Sequence, residues 1–173
     1  MTNSCLYKSP IGVLCIVEEN GKITKLHLQR EEDCNGTVQE GKKLAAVLRE
    51  ACTQLDEYFQ GKRKQFELPL SYAGTDFQQR VWDELQKIPY GETRSYEEIA
   101  MQAGNSKAQR AVGQANNRNP IMIVIPCHRV IHKSGDISGY ACGIEAKRYL
   151  LELEKRCIVR CAGLATIIPS GQN

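Results

Sequence analysis

The chain has 173 residues, 42% of them hydrophobic and 25% charged, enough for one ordinary domain or two small ones around a packed core. Its formal net charge of +3 permits an anionic partner without demanding one, so a nucleic-acid surface has to be a local patch. No apolar run approaches the ~20 residues that span a bilayer, and the N-terminal MTNSCLYKSP lacks a basic run followed by an apolar core, so neither a membrane span nor a secretory leader is expected. Eight cysteines without a C-x-x-C pair argue against a zinc ribbon or a dithiol redox motif. They suit a reducing, intracellular compartment in which most thiols are small buried hydrophobes.

In chain order, residues 11–28 alternate apolar and polar on either side of Asn20-Gly21, which predicts a β-hairpin with a tight turn. Residues 30–41 are polar and read as a loop. Leu44, Val47, Leu48, Ala51, Leu55, Tyr58 and Phe59 fall at helical spacing across 42–60, with Gly61 as the stop. KQFELPL, residues 64–70, reads as one more short strand, and 71–75 as a linker. The first domain is thus placed at 1–72, a small sheet plus a helix, and the second at 73–173, mostly helical.

The second part is punctuated by S/T-x-x-E/Q signals, Thr75 with Gln78, Ser95 with Glu98 and Ser106 with Gln109, each a candidate capping box. The two short helices that start at Ser95 and Ser106 meet at Gly104-Asn105 and form a helix-turn-helix candidate. Spacing alone fits an ordinary helical hairpin equally well. The second helix is distinctive in content, with Ala108, Ala111, Gly113 and Ala115 small, Lys107, Arg110 and Arg118 basic, and Asn116, Asn117 and Asn119 close behind. Small residues, positive charge and amides suit a nucleic-acid backbone.

IPCHRVIH, residues 125–132, places a thiol, an imidazole and a guanidinium inside an apolar run. The thiolate is the reactive form of cysteine, and Arg129 and a histidine nearby would favour it. Pro126 would present Cys127 at a bend. A base acting on a nucleophile needs a third group to orient it. The last predicted helix offers Glu145, Glu152 and Glu154 for His128, and spacing does not choose among them.

The heptapeptide IPCHRVI closely resembles the active-site signature of the O6-alkylguanine-DNA alkyltransferases. YGETRSYEEIA, QRAVGQANNRNP and GYACGIEAKRYLLELE resemble the same family's blocks, in order and at matching separations over residues 75–155, and SPIGVL resembles its variable N-terminal domain loosely. The resemblance implies a DNA-repair protein that flips an O6-alkylguanine out of double-stranded DNA and moves the alkyl group irreversibly to its own cysteine, once per molecule and without a cofactor. It implies that Cys127 is the acceptor, His128 the base acting through a water, Glu154 the acid that orients His128, and Tyr96 the donor to guanine N3. It further implies that Arg110 fills the gap left by the flipped nucleotide and that Asn119 ties the recognition helix to the active-site segment. Tyr140 and Ala141 would close over the base, with the carbonyls of Cys127 and Val130 accepting from the guanine amino group. Ser95 and Lys107 are further candidate DNA contacts.

The cysteines and His27 of the N-terminal part do not reproduce the zinc pattern of some family members, so no metal is expected. The family's closing loop usually carries glycine where Cys142 stands in YACG, which brings a second thiol and a steric restriction to the pocket. Residues 157–173 match no role and are expected to be partly disordered. A monomer in the cytoplasm, or in the nucleus of a eukaryote, is expected. A non-catalytic helix-turn-helix DNA binder and a Cys-His hydrolase are the competing readings. PCHR argues against the alkyltransferase-like proteins, which lack the cysteine.

Overall fold

The computed structural model describes residues 1–29, 37–38, 41–137, 139–140 and 142–165. Its sheet has the order β3-β2-β1-β4, from β1 (Thr2–Ser9), β2 (Gly12–Glu19), β3 (Lys22–Leu28) and β4 (Thr37–Val38). The first three strands are antiparallel neighbours, and β4 runs parallel to β1. The β2–β3 turn has positive φ at both Asn20 and Gly21, as a two-residue hairpin matched to strand twist requires.

Three expectations for this half change. β1 was not anticipated, because Thr2, Asn3, Ser4, Lys8 and Ser9 obscure its alternation; Ser4 and Cys5, on opposite faces, are nevertheless both buried. Residues 64–70 form no strand beyond a bridge between Leu70 and Ile23. Pro69 lacks an N–H and contributes only its carbonyl, which accepts from Ile23 at 2.8 Å. Within the 30–41 loop, residues 37–38 join the sheet as β4.

One face of the sheet packs on α1 (Ala46–Phe59), which buries Leu48, Ala51, Leu55 and Tyr58. The rest is chiefly helical: α2 (Asp76–Gln86), α3 (Tyr96–Gln102), α4 (Gln109–Asn117) and α5 (Ile144–Ala165), with β5 (Arg94–Ser95) paired to β6 (Val130–Ile131). Both boxes at Thr75/Gln78 and Ser95/Glu98 form in full. The one expected at Ser106/Gln109 does not. α4 begins at Gln109 behind Ala108, which offers no side-chain cap, and Asn105 instead accepts from the backbone N–H of Lys107 at 3.1 Å. α3 ends in a Schellman turn, Asn105 N–H to Ala100 and Gly104 N–H to Met101, with φ +93° at Gly104, a value that favours glycine. α5 runs on to Ala165, so residues 157–165 of the stretch expected to be partly disordered are helical; residues 166–173 lie outside the described part.

The two halves share one hydrophobic core. β3 is the shared edge. Its Leu26 accepts from Met122 and donates to Pro120, both at 2.9 Å, so the sheet holds the chain that leads to Cys127. Among the described residues no helix is long and apolar enough to cross a membrane.

Candidate active site

The approach to Cys127 is bent twice. Ile123 has φ +71°, rare for a β-branched residue, and sits in a turn closed by Val124 N–H to the Met122 carbonyl at 2.8 Å. Pro126 (φ −81°, ψ 64°) forms an inverse γ-turn, closed by Cys127 N–H to the Ile125 carbonyl at 2.8 Å. Cys127–Arg129 then makes one 3₁₀ turn in which all three residues are buried. A backbone this constrained costs energy, and the surrounding core holds it in place.

Cys127 borders a cavity of about 580 Å³ that also touches Asn119, Met122, Tyr140, Cys142 and, on β3, His27. Burial pushes the thiol up to about 11, against the opposing influence of the Asn119 and Tyr140 side chains and the Lys147 charge. The resting group is therefore a protonated thiol, and thiolate formation needs a base.

His128 is fully buried. Its Nε2 lies 2.7 Å from Glu154 Oε1, while its Nδ1 has no hydrogen-bond partner among the described residues. Burial lowers its pKa below the usual imidazole value, in opposition to Glu154. A neutral ring that donates Nε2–H to Glu154 leaves the Nδ1 lone pair free to accept a proton. Of the three acids considered for this role, Glu145 and Glu152 are exposed on α5, and only Glu154 is buried against the imidazole.

Glu154 is anchored from several elements. It accepts from Tyr58 OH at 2.8 Å, from the Gly91 N–H at 3.1 Å, and from Arg129 Nε at 3.0 Å and Nη2 at 2.9 Å. Burial raises its pKa, but the His128 contact and the Arg129 fork outweigh that and hold the carboxyl at about 2. With His128 neutral, the fork is the lasting cause.

Arg129 thus does not serve Cys127 as the sequence suggested. Its guanidinium is committed to Glu154 and to the Ile88 carbonyl, the latter at 2.6 Å, and lies over the Tyr90 ring. The cation near the thiol is Lys147 on α5, fully buried. It donates to the Val130 carbonyl at 2.5 Å and lies 5.9 Å from the centre of the Tyr96 ring and 5.8 Å from that of Tyr140. Sequence reasoning missed both Lys147 and Tyr58. The one available signal was a lysine one helical turn after GYACG, and a lysine at such a place is ordinarily solvated.

Tyr96 is buried at the start of α3. Burial raises its pKa, as does the nearby Cys127, with Asn116 opposing, so the phenol keeps its proton. Asn119 donates to the Ile125 carbonyl at 2.7 Å and accepts from Ile121 N–H at 3.0 Å, which links the end of α4 to the Cys127 segment. The Cys127 carbonyl accepts from Asn116 at 3.0 Å, and the Val130 carbonyl from Lys147. The Cys127 carbonyl also accepts from the Val130 N–H, which closes the 3₁₀ turn. Tyr140 is buried on the cavity wall. Ala141 lies outside the described residues. Cys142 is half-buried on the same wall, its sulfur 3.3 Å from that of Met122.

Arg110 and Lys107 are exposed on the outer side of the helix-turn-helix, and Ser95 is half-buried as the α3 cap. Arg110 borders a second hollow of about 300 Å³ shared with Tyr96, Gly113, Asn117 and Gly139, so a basic helix face and the buried phenol meet at one opening. Among the described residues no three His, Cys, Asp or Glu side chains converge as metal ligands.

Residues 4–72 match the ribonuclease-like domain of 6-O-methylguanine DNA methyltransferase, and residues 76–156 its DNA-binding domain. A Bacillus subtilis protein, the constitutive methylated-DNA–protein-cysteine methyltransferase, is 51% identical over 152 residues, 86% of this chain and 92% of its own. This chain belongs to the O6-methylguanine DNA methyltransferase family. A Methanosarcina acetivorans methylated-DNA–protein-cysteine methyltransferase is 43% identical, over 88% of this chain and 97% of its own. The crystal structure of the Mycobacterium tuberculosis O6-methylguanine methyltransferase superposes with a TM-score of 0.81 at 46% identity, covering 90% of this chain and 94% of that one. The M. tuberculosis protein in complex with DNA gives 0.82 with the same coverage and identity. The helix-turn-helix of this family member is therefore part of a DNA-binding domain, which removes the ordinary helical hairpin as a reading.

Proposed function

We propose that this chain repairs O6-methylguanine in DNA by taking the methyl group onto Cys127, once per molecule. The chain is a methylated-DNA–protein-cysteine methyltransferase, and DNA is its partner. The observation that carries the assignment of Cys127 is its setting: a buried thiol on a cavity wall, followed in the chain by a buried imidazole whose Nε2 is bonded to a fixed carboxylate and whose Nδ1 has no partner among the described residues.

The chemistry follows from that setting. His128 Nδ1 takes the thiol proton through a bridging water, and Glu154 stabilises the imidazolium that results. Lys147, Asn119 and Tyr140 favour the thiolate. Sulfur attacks the methyl carbon, the carbon–O6 bond breaks, and its electron pair stays with guanine. The Tyr96 phenol supplies a proton to N3, so that guanine leaves neutral. The carbonyls of Cys127 and Val130 receive the guanine amino group, and Tyr140 with Ala141 closes over the base. Arg110 enters the stack, Asn119 keeps α4 in register with the active-site segment, and Ser95 and Lys107 contact the DNA backbone. The thioether product has no hydrolytic route back. The catalytic part spans 73–173, with 1–72 as the N-terminal domain that supports it across the shared core, and the working unit is a monomer.

Incubation with a duplex containing O6-methylguanine, followed by mass measurement of the peptides, tests the assignment. One methyl on the Cys127 peptide, and no more than one per molecule, is expected. Methyl on another cysteine, or repeated turnover, would reject it.

A further inference from the structure

We infer that Tyr58, on α1 in the N-terminal half, is a positioning residue for methyl transfer: its hydroxyl fixes the Glu154 carboxylate and shares the charge that the carboxylate presents to His128. The inference rests on the reading of Cys127 and His128 given above.

Glu154 Oε1 receives His128 Nε2 at 2.7 Å, Tyr58 OH at 2.8 Å and Arg129 Nη2 at 2.9 Å, while Oε2 receives Gly91 N–H at 3.1 Å and Arg129 Nε at 3.0 Å. A carboxylate has about four lone-pair sites. The oxygen that serves His128 is therefore crowded, and each donor on it takes part of its charge. The Tyr58 ring is fully buried and packs edge-on against Phe59 and Tyr90. A phenylalanine fills that volume equally well. Among the described residues the hydroxyl has one polar partner there, Glu154. Burial and the neighbouring carboxylate raise its pKa well above the ordinary phenol value, so it stays a donor.

The other groups that bear on the pair come from every side. Arg129 and Cys127 lie on the 3₁₀ turn, Lys147 on α5, Tyr90 and the Gly91 N–H in the connection after α2, and Tyr140 on the cavity wall. Arg129 and Lys147 both oppose a charge on His128, and Glu154 favours it. Tyr58 weakens the favourable side of that balance.

Loss of the hydroxyl concentrates the Glu154 charge on Nε2–H and stabilises the imidazolium. His128 then protonates at a higher pH, and neutral base is lost earlier as the solution is acidified. In Tyr58→Phe the acid limb of the single-turnover rate of methyl transfer should move up by roughly half a pH unit. Tyr58→Leu, which also removes the ring, should move it by the same amount while losing more thermal stability. Leu55→Ala, which empties core volume on the same helix, should lose stability with no movement of the limb. An unmoved limb in Tyr58→Phe, or a shift that follows stability across the three variants, overturns the inference. Absence of methyl on Cys127 in the unaltered protein would instead overturn the assignment of the acceptor, and it is scored before any variant is made.

Discussion

Lys147 and Cys142 both act on Cys127, and they set the rate and the range of the reaction in different ways. Lys147 is a fully buried cation whose pKa is lowered by burial, against the pull of Cys127 and Asp136. Its cost is tolerable because it has the Val130 carbonyl and two aromatic faces, and its gain is a positive charge near the sulfur. Lys147→Met keeps much of the volume and removes the charge. We predict a fall of roughly tenfold or more in the single-turnover rate with little loss of thermal stability; an unchanged rate would show that the lysine serves packing alone. Cys142 stands where the family's closing loop usually has glycine, and its sulfur lies against Met122 on the wall shared with Cys127. Cys142→Gly should therefore speed transfer from O6-benzylguanine more than from O6-methylguanine. The measurement is the ratio of the two rates in the variant against the parent, and an unmoved ratio would mean that the thiol does not limit the alkyl group.

At the level of elements, α4 and α5 carry separate burdens. α4 presents Arg110 to solvent beside the hollow that holds Tyr96. If the arginine fills the gap in a base stack, Arg110→Ala should slow repair of duplex DNA far more than reaction with the free modified base; equal losses would assign it another role. α5 bears Glu154, and the turn after α2 meets it through Gly91, with φ +78° and its N–H on the carboxylate. A Cβ at Gly91 would come 2.0 Å from the Ile158 side-chain tip. Gly91→Ala should cost ~1–3 kcal/mol in denaturant unfolding, chiefly from the backbone, because that tip is partly exposed and can swing away. Adding Ile158→Ala should recover only the minor, steric share. The same elements show what the sequence exposes. The hairpin at Asn20-Gly21 and the boxes at Thr75 and Ser95 are local devices, and the chain displays them openly. The failed box at Ser106 shows the limit, because S-x-x-Q also fits a turn in which Asn105 is the better acceptor. β1 escaped notice because its polar residues hide a pattern that only pairing with β2 completes.

Across the whole molecule, the legible part of the site is the part that is contiguous. Cys127 and His128 are neighbours in the chain, and the blocks around Tyr96, Arg110 and Asn119 carry recognisable patterns. Tyr58 and Lys147 acquire meaning only through folding, since Tyr58 lies 96 positions from Glu154 and nothing near it in sequence refers to a carboxylate. That tertiary cluster also makes the fold acid-sensitive in a defined way. His128 has a lowered pKa relative to its ordinary 6.5, and Glu154 falls from 4.5 to about 2. For both groups the unfolded chain binds more protons than the folded one, so stability rises with pH. The Glu154 contribution is fully present above pH 4.5 and is lost as pH falls toward 2; that of His128 begins to fall away below 6.5. Glu154→Gln leaves Arg129 buried without its anion and should cost ~3 kcal/mol or more at pH 7. The variant lacks the carboxyl titration, however, so its deficit should shrink steadily as both proteins are taken from pH 4.5 toward 2. Denaturant unfolding of the two proteins over that range decides the matter. Parallel curves, with a constant gap down to the acid end, would mean that the carboxylate is not held ionised by the fold, and that the fork from Arg129 adds nothing to the base it is meant to support.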